Sequence, residues 1–178
     1  MALESADFDQ AFTQIHGVPP FPWQRRLLRT VCTQTRWPAL VDLPTGSGKT
    51  ACIDIALFHL AWSAGRAEVH AARRIALVVD RRLIVDAAAE RADRIAAALA
   101  AADEDTALGR WASALRSLGG ECPLRVIRLR GGLPQETSPL RDPVTPTVLL
   151  STVDQIGSRL LFRGYGVSGR MQPISAGL

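Results

Sequence analysis

Lysine is almost missing from this chain. Of 21 cationic side chains, 20 are arginine and one, Lys49, is lysine. So strong a bias acts on the chain as a whole, most simply through GC-rich coding that exchanges Lys for Arg on the surface. It also singles out the one position where lysine persists. Cysteine is scarce and odd in number: Cys32, Cys52 and Cys122 are widely spaced and form no C-x-x-C pair. That spacing argues against a disulfide framework and against a zinc site. Free thiols suit a reducing cytosol, so a cytoplasmic protein is expected. No apolar run approaches the ~20 residues of a membrane span, and no membrane partner is expected. The N-terminus carries Glu4, Asp7 and Asp9 where a secretion signal would carry basic residues.

What is present fits one globular domain. The chain has 178 residues, 47% of them hydrophobic, enough for a core. A net charge of +4 permits a polyanionic partner, although an arginine-rich surface accounts for it equally well.

Hydrophobic spacing predicts a helix over 4–15 with Phe8, Phe12 and Ile15 on one face. Pro19, Pro20 and Pro22 then enforce an extended entry. A second helix follows from Trp23 to Gln34, with Trp23, Leu27 and Val31 inward and Arg25, Arg26 and Arg29 outward. Ala39–Leu43, between Pro38 and Pro44, reads as a buried strand. A glycine-rich turn leads into a helix from Lys49 to Ala64, closed by Gly65. Further strands are expected at Ile75–Val79, Leu124–Leu129 and Thr147–Leu150, and further helices at 82–102, 106–118 and 153–162. Residues 131–146 read as a loop. Strands alternating with helices give an α/β domain with a mainly parallel sheet flanked by helices. The expected organisation is an N-terminal helical segment, 1–36, followed by an α/β domain, 37–178.

The strongest motif is Pro44-Thr45-Gly46-Ser47-Gly48-Lys49-Thr50. It lies between an expected strand and an expected helix, the context of a phosphate-binding P-loop. Gly46 and Gly48 open backbone conformations closed to other residues, so that successive N–H groups face inward. The helix start adds the positive end of its dipole. The Lys49 ammonium reaches β- and γ-phosphates as a compact point charge, and the Thr50 hydroxyl is a ligand for Mg. This accounts for a lysine that resisted the drift to arginine. The strict pattern G-x-x-x-x-G-K-[ST] asks for Gly at 43, where this chain has Leu43.

Pro-Thr-Gly-Ser-Gly-Lys-Thr resembles motif I of superfamily 2 helicases. Gln24, in Phe21-Pro22-Trp23-Gln24, resembles their Q-motif, whose Gln reads the adenine edge; a surface Gln on an amphipathic helix is the plain alternative. Asp80-Arg81-Arg82-Leu83 stands where such helicases contact the strand backbone, and Arg81 and Arg82 suit that task. Arg130-Gly131-Gly132 and Ser151-Thr152-Val153-Asp154-Gln155 resemble later DNA-contacting segments. Thr152 and Gln155 equally suit a helix capping box. The run Ser151 to Gly166, with Val79 to Leu83, resembles the helicase–nucleases of type I CRISPR systems, especially subtype I-U (I-G). The resemblance covers about 21–178 and implies that 37–178 is a partial RecA-like helicase ATP-binding domain, incomplete at its C-terminus. It implies ATP- and Mg-driven 3′-to-5′ movement on single-stranded DNA. It also implies recruitment by an RNA-guided surveillance complex, and a metal-dependent HD nuclease domain elsewhere in the protein.

Several parts of that machinery have no counterpart in the 178 residues. The one Asp-Glu pair, Asp103-Glu104, ends an Ala-rich helix and is followed by Thr106 in place of His or Asp, so it reads as a solvated helix end. The arginine fingers of a second RecA-like domain have no counterpart. None of His16, His59 and His70 precedes an Asp. The expectation is therefore the N-terminal piece of a longer helicase, or a truncated product, that binds nucleotide weakly and does not turn it over. A small P-loop kinase is an alternative, but kinases of this size open with the phosphate-loop strand, whereas here a long segment precedes Pro44. A non-catalytic nucleotide- or DNA-binding module is the other.

Overall fold

The computed structural model describes residues 3–34, 36–120, 122–129 and 142–161. Gly131, its neighbours in the glycine turn, and the end of the expected last helix lie outside them.

Helices α1 (Asp7–His16) and α2 (Pro22–Gln34) are followed by a 3-10 turn, Lys49–Ala51, that runs into α3 (Cys52–Ser63). Then come β1 (Arg74–Val79), α4 (Arg82–Ala100), α5 (Ala107–Arg116), β2 (Arg125–Leu129), β3 (Thr147–Thr152) and α6 (Val153–Leu160). The sheet has three strands in the order β1-β3-β2, all parallel. Arg74 to Val79 pair with Thr147 to Thr152, and Arg125 to Leu129 pair with Thr147 to Ser151. Central β3 is buried along almost its whole length, as a strand covered on both faces should be. This small α/β sandwich, a parallel sheet flanked by helices, is consistent with a RecA-like domain.

One core joins the helices to the sheet. Phe8, Phe12 and Ile15 of α1, Leu27, Leu28 and Val31 of α2, and Ile53, Leu57 and Phe58 of α3 belong to a single cluster of buried side chains. Ala88, Ala89 and Ala92 of α4 and Trp111 of α5 belong to it too. Phe58 stands edge-on between Phe8, 5.2 Å away, and Trp111, 5.2 Å away on the other side. The alanines let α4 lie close against the sheet. Among the described residues no helix is long and apolar enough to cross a membrane.

Three local expectations are corrected. Residues 39–43 form no strand, and Leu40 is 79% exposed. An apolar extended segment becomes a strand only when a neighbour takes its N–H and C=O groups, and the three-strand ladder ends at β1 without reaching it. Gly65 does not close α3 in a left-handed cap: the C-cap is Ala64 in helical conformation, and the Arg66 guanidinium donates to the Trp62 carbonyl instead. Thr152 occupies the N-cap position of α6 in extended conformation, but its side chain makes no capping bond, so the capping box is not formed. At α5, by contrast, the Thr106 hydroxyl accepts from Gly109 N–H at 2.9 Å. That cap leaves Asp103 and Glu104 exposed in the turn before it.

Candidate nucleotide site

The turn from Pro44 to Thr50 is bent by its glycines. Gly46 has φ 80° and Gly48 has φ 74°, both in the left-handed region that side-chain-bearing residues avoid. At Gly48 an added Cβ would also meet Gln24 Nε2 at 3.2 Å and the Phe21 ring at 3.3 Å, so the backbone presses directly on the start of α2. The Ser47 hydroxyl donates to Pro44 O at 2.7 Å and tightens the turn. The Lys49 ammonium folds over the same turn and donates to Leu43 O at 2.8 Å and Pro44 O at 3.2 Å. Lys49 is exposed, and Thr50 is half-buried at the start of the helix.

Two side chains of α2 reach this turn. Trp23 Nε1 donates to Ser47 O at 2.9 Å. Gln24, 2% exposed, accepts from Phe21 N–H at 2.8 Å and donates to Gly48 O at 3.3 Å. Its first bond caps α2, the N3 amide reaching back to the N-cap N–H. Each end of the amide still has one hydrogen-bond valence left. Gln24 is thus a buried connector between α2 and the turn rather than a solvated surface residue.

Beside the turn lies a cavity of about 550 Å³, lined among others by Phe12, His16, Phe21, Gln24, Arg25 and Gly48. It is of small-molecule size and mostly apolar, with a few polar groups converging on it. Arg25 is held by Asp9 at 2.6 Å. Arg91 also borders the cavity and binds Asp54 at 2.6 Å, and Asp54 in turn binds His16 at 2.6 Å.

The nucleic-acid candidates fall into a second group. Parallel pairing sets Val79 opposite Thr152, so β1 and β3 end side by side. That brings the Asp80-Arg81-Arg82 corner and the Thr152–Gln155 helix start together along the carboxyl-end edge of the sheet, where ligands of open α/β folds bind. Arg81 and Arg82 are exposed there, Arg81 lying 3.8 Å from Asp80. Thr152 and Gln155 are half-buried.

The pattern of the type III restriction enzyme res subunit matches residues 17–113, more than half of the chain. The chain belongs to this family. It is a superfamily 2 helicase N-terminal ATPase-like family, so the domain is a helicase-like ATP-binding domain. The family implies a nucleotide, usually with Mg, and nucleic acid as partner. The matched stretch runs from the end of α1 into α5 and includes both the glycine turn and the Trp23–Gln24 pair. No curated protein and no solved structure matches the chain.

The residues present fit such a nucleotide. Two left-handed glycines precede a helix start, one ammonium lies over the turn on bonds that phosphate oxygens would replace, and a base-sized cavity adjoins. Periodicity did not single out His16, Asp54, Arg91 or the polar edge of Trp23. A usable signal was there for Asp54, the one carboxylate in the mostly apolar stretch Cys52–Ser63. Among the described residues no cluster of His, Cys, Asp and Glu could hold a metal ion by itself.

Proposed function

We propose that this chain is the ATP-binding part of an ATP-dependent DNA helicase resembling the CRISPR-associated helicase–nucleases. The observation that carries the nucleotide site is the glycine turn, Gly46 and Gly48 left-handed and Lys49 at the helix start, opening beside the cavity. In this reading the N–H groups of 45–50 and the Lys49 ammonium hold the β- and γ-phosphates, and the Thr50 hydroxyl is the protein's ligand to Mg. Pro44, Thr45 and Ser47 shape the turn, and Gln24 faces the base with its remaining valences. Mg supplies charge neutralisation between the phosphates when bound.

Arg81, Arg82, Thr152, Gln155 and Gly131 are the proposed contacts to single-stranded DNA. The common sheet edge of the first four supports this, since guanidinium, hydroxyl and helix-start N–H groups are phosphate ligands. The CRISPR-associated role, with a surveillance complex as partner, rests on the resemblance of Val79–Leu83 and of the run Ser151 to Gly166. Division at 36/37 into a helical segment and a RecA-like domain, and a cytoplasmic location, belong to the same proposal.

The deciding experiment is calorimetric titration with ATP and Mg. Binding to the wild-type chain and none to Lys49→Ala is the expected result. Equal affinity in both proteins defeats the reading.

A further inference from the structure

The first half of the glycine turn is closed from within, by the Ser47 hydroxyl on Pro44 O at 2.7 Å and the Lys49 ammonium on Leu43 O and Pro44 O. The peptides that follow Ser47 lie between two glycines with wide backbone freedom. Their carbonyls are the ones that α2 holds. Trp23 Nε1 takes Ser47 O at 2.9 Å, and Gln24 Nε2 takes Gly48 O at 3.3 Å, together with Ala51 N–H at 3.0 Å. In a trans peptide the N–H points opposite to the C=O. No cis peptide occurs here. Pinning the Ser47 carbonyl against α2 therefore turns the Gly48 N–H away from α2, and pinning the Gly48 carbonyl does the same for the Lys49 N–H.

We infer that Trp23 is a positioning residue for the nucleotide site: its indole N–H, holding the Ser47 carbonyl from behind, aims the next amide of the turn at the phosphates. The inference rests on the nucleotide reading above. The indole is half-buried and packs on the core with its ring while its polar edge serves the turn. Gln24 acts on the following peptide in the same sense.

The test compares wild type, Trp23→Phe, Trp37→Phe and Lys49→Ala by calorimetric titration with ATP and Mg, with tryptophan emission recorded in parallel. Phe keeps an aromatic ring against the core and loses the N–H donor together with the five-membered ring that carries it. The expected result is an affinity about three- to tenfold weaker in Trp23→Phe, with the fold retained by circular dichroism. The nucleotide-dependent emission change should persist in Trp37→Phe and be lost in Trp23→Phe. Affinity equal to wild type in Trp23→Phe, with the emission change intact, overturns the role of Trp23 while leaving the nucleotide reading standing. A wild type that binds no better than Lys49→Ala overturns that reading and the inference with it. Should Trp23→Phe not fold, β-(3-benzothienyl)alanine placed at position 23 takes its place. It keeps the bicyclic ring and puts sulfur where the N–H donor was. Weaker binding then supports the tether from α2, and unchanged binding overturns it.

Discussion

His16 of α1 and Asp54 of α3 meet at 2.6 Å in the interior, with side chains 5% and 0% exposed. The Arg91 guanidinium of α4 closes the cluster, 2.6 Å from the other Asp54 oxygen and 3.1 Å from His16 Nε2. Three helices distant in sequence are thereby fastened around one carboxylate, beneath the cavity that adjoins the glycine turn. A buried carboxylate with two partners is costly to break, because its removal leaves the half-buried Arg91 guanidinium without its counter-charge. Asp54→Asn preserves the shape but offers one acceptor and turns an NH₂ group toward a donor. It is expected to lower stability by about 3–5 kcal/mol in urea unfolding. An unchanged midpoint would show that the cluster is not formed in solution.

Asp7 gives the fold a dependence on acid. Burial raises its pKa. The hydrogen bond from Arg110, the Glu4 backbone N–H at 2.9 Å and the Arg110 charge outweigh that and leave it below the ordinary value. A carboxylate depressed in the folded state contributes stability that is complete above the unfolded pKa of about 3.9 and disappears as pH falls through the lower folded value. Thermal midpoints of wild type and Asp7→Asn should therefore differ at pH 6 and converge as pH falls through the lowered folded-state pKa of Asp7. A constant difference across that range would exclude the ion pair as its source.

Much of the fold was legible because burial imposes its period on the residues. Phe8, Phe12 and Ile15 recur at helical spacing and are all buried. The apolar runs at 75–79, 124–129 and 147–150 coincide with the three strands to within two residues. The run 39–43 carried the same signal without the same outcome, because apolar composition says nothing about whether a neighbouring strand is in reach. The glycine turn was legible for a different reason: its residue types are needed by backbone geometry, and the positive φ of Gly46 and Gly48 follows. What could not be read were contacts across the fold. The link from Trp23 to Ser47 and the cluster of His16, Asp54 and Arg91 exist only once α1, α2, α3 and α4 have packed.

The cysteines carry a chemical prediction. Burial pushes the Cys32 thiol up to about 11, with the Arg66 charge opposing it weakly. Burial raises Cys52 as well, and the neighbouring Asp54 adds to it. At pH 8 the thiolate fraction of Cys32 is about a hundredfold smaller than that of an ordinary thiol near 9. Greater intrinsic nucleophilicity offsets part of this. Iodoacetamide should label Cys32 at least about tenfold more slowly in the folded chain than in urea, as read by peptide mass. Equal rates would mean that the α2 face carrying Cys32 is open in solution.

The shared edge of β1 and β3 makes the DNA proposal measurable without any nuclease or helicase assay. Arg81 and Arg82 are exposed on it, so replacing both with Ala should leave stability within about 0.5 kcal/mol. Each guanidinium that meets a phosphate releases counterions, and on a single strand the slope of log K against log salt changes by about 0.7 per contact. The double variant should therefore bind single-stranded DNA more weakly and with a slope shallower by about 1.4. Thr152→Val, which removes a hydroxyl and no charge, should weaken binding without changing the slope. That contrast separates phosphate neutralisation from a general loss of surface charge: if Arg26→Ala with Arg29→Ala, on the outer face of α2, flattens the slope as much, the sheet edge is not the DNA track.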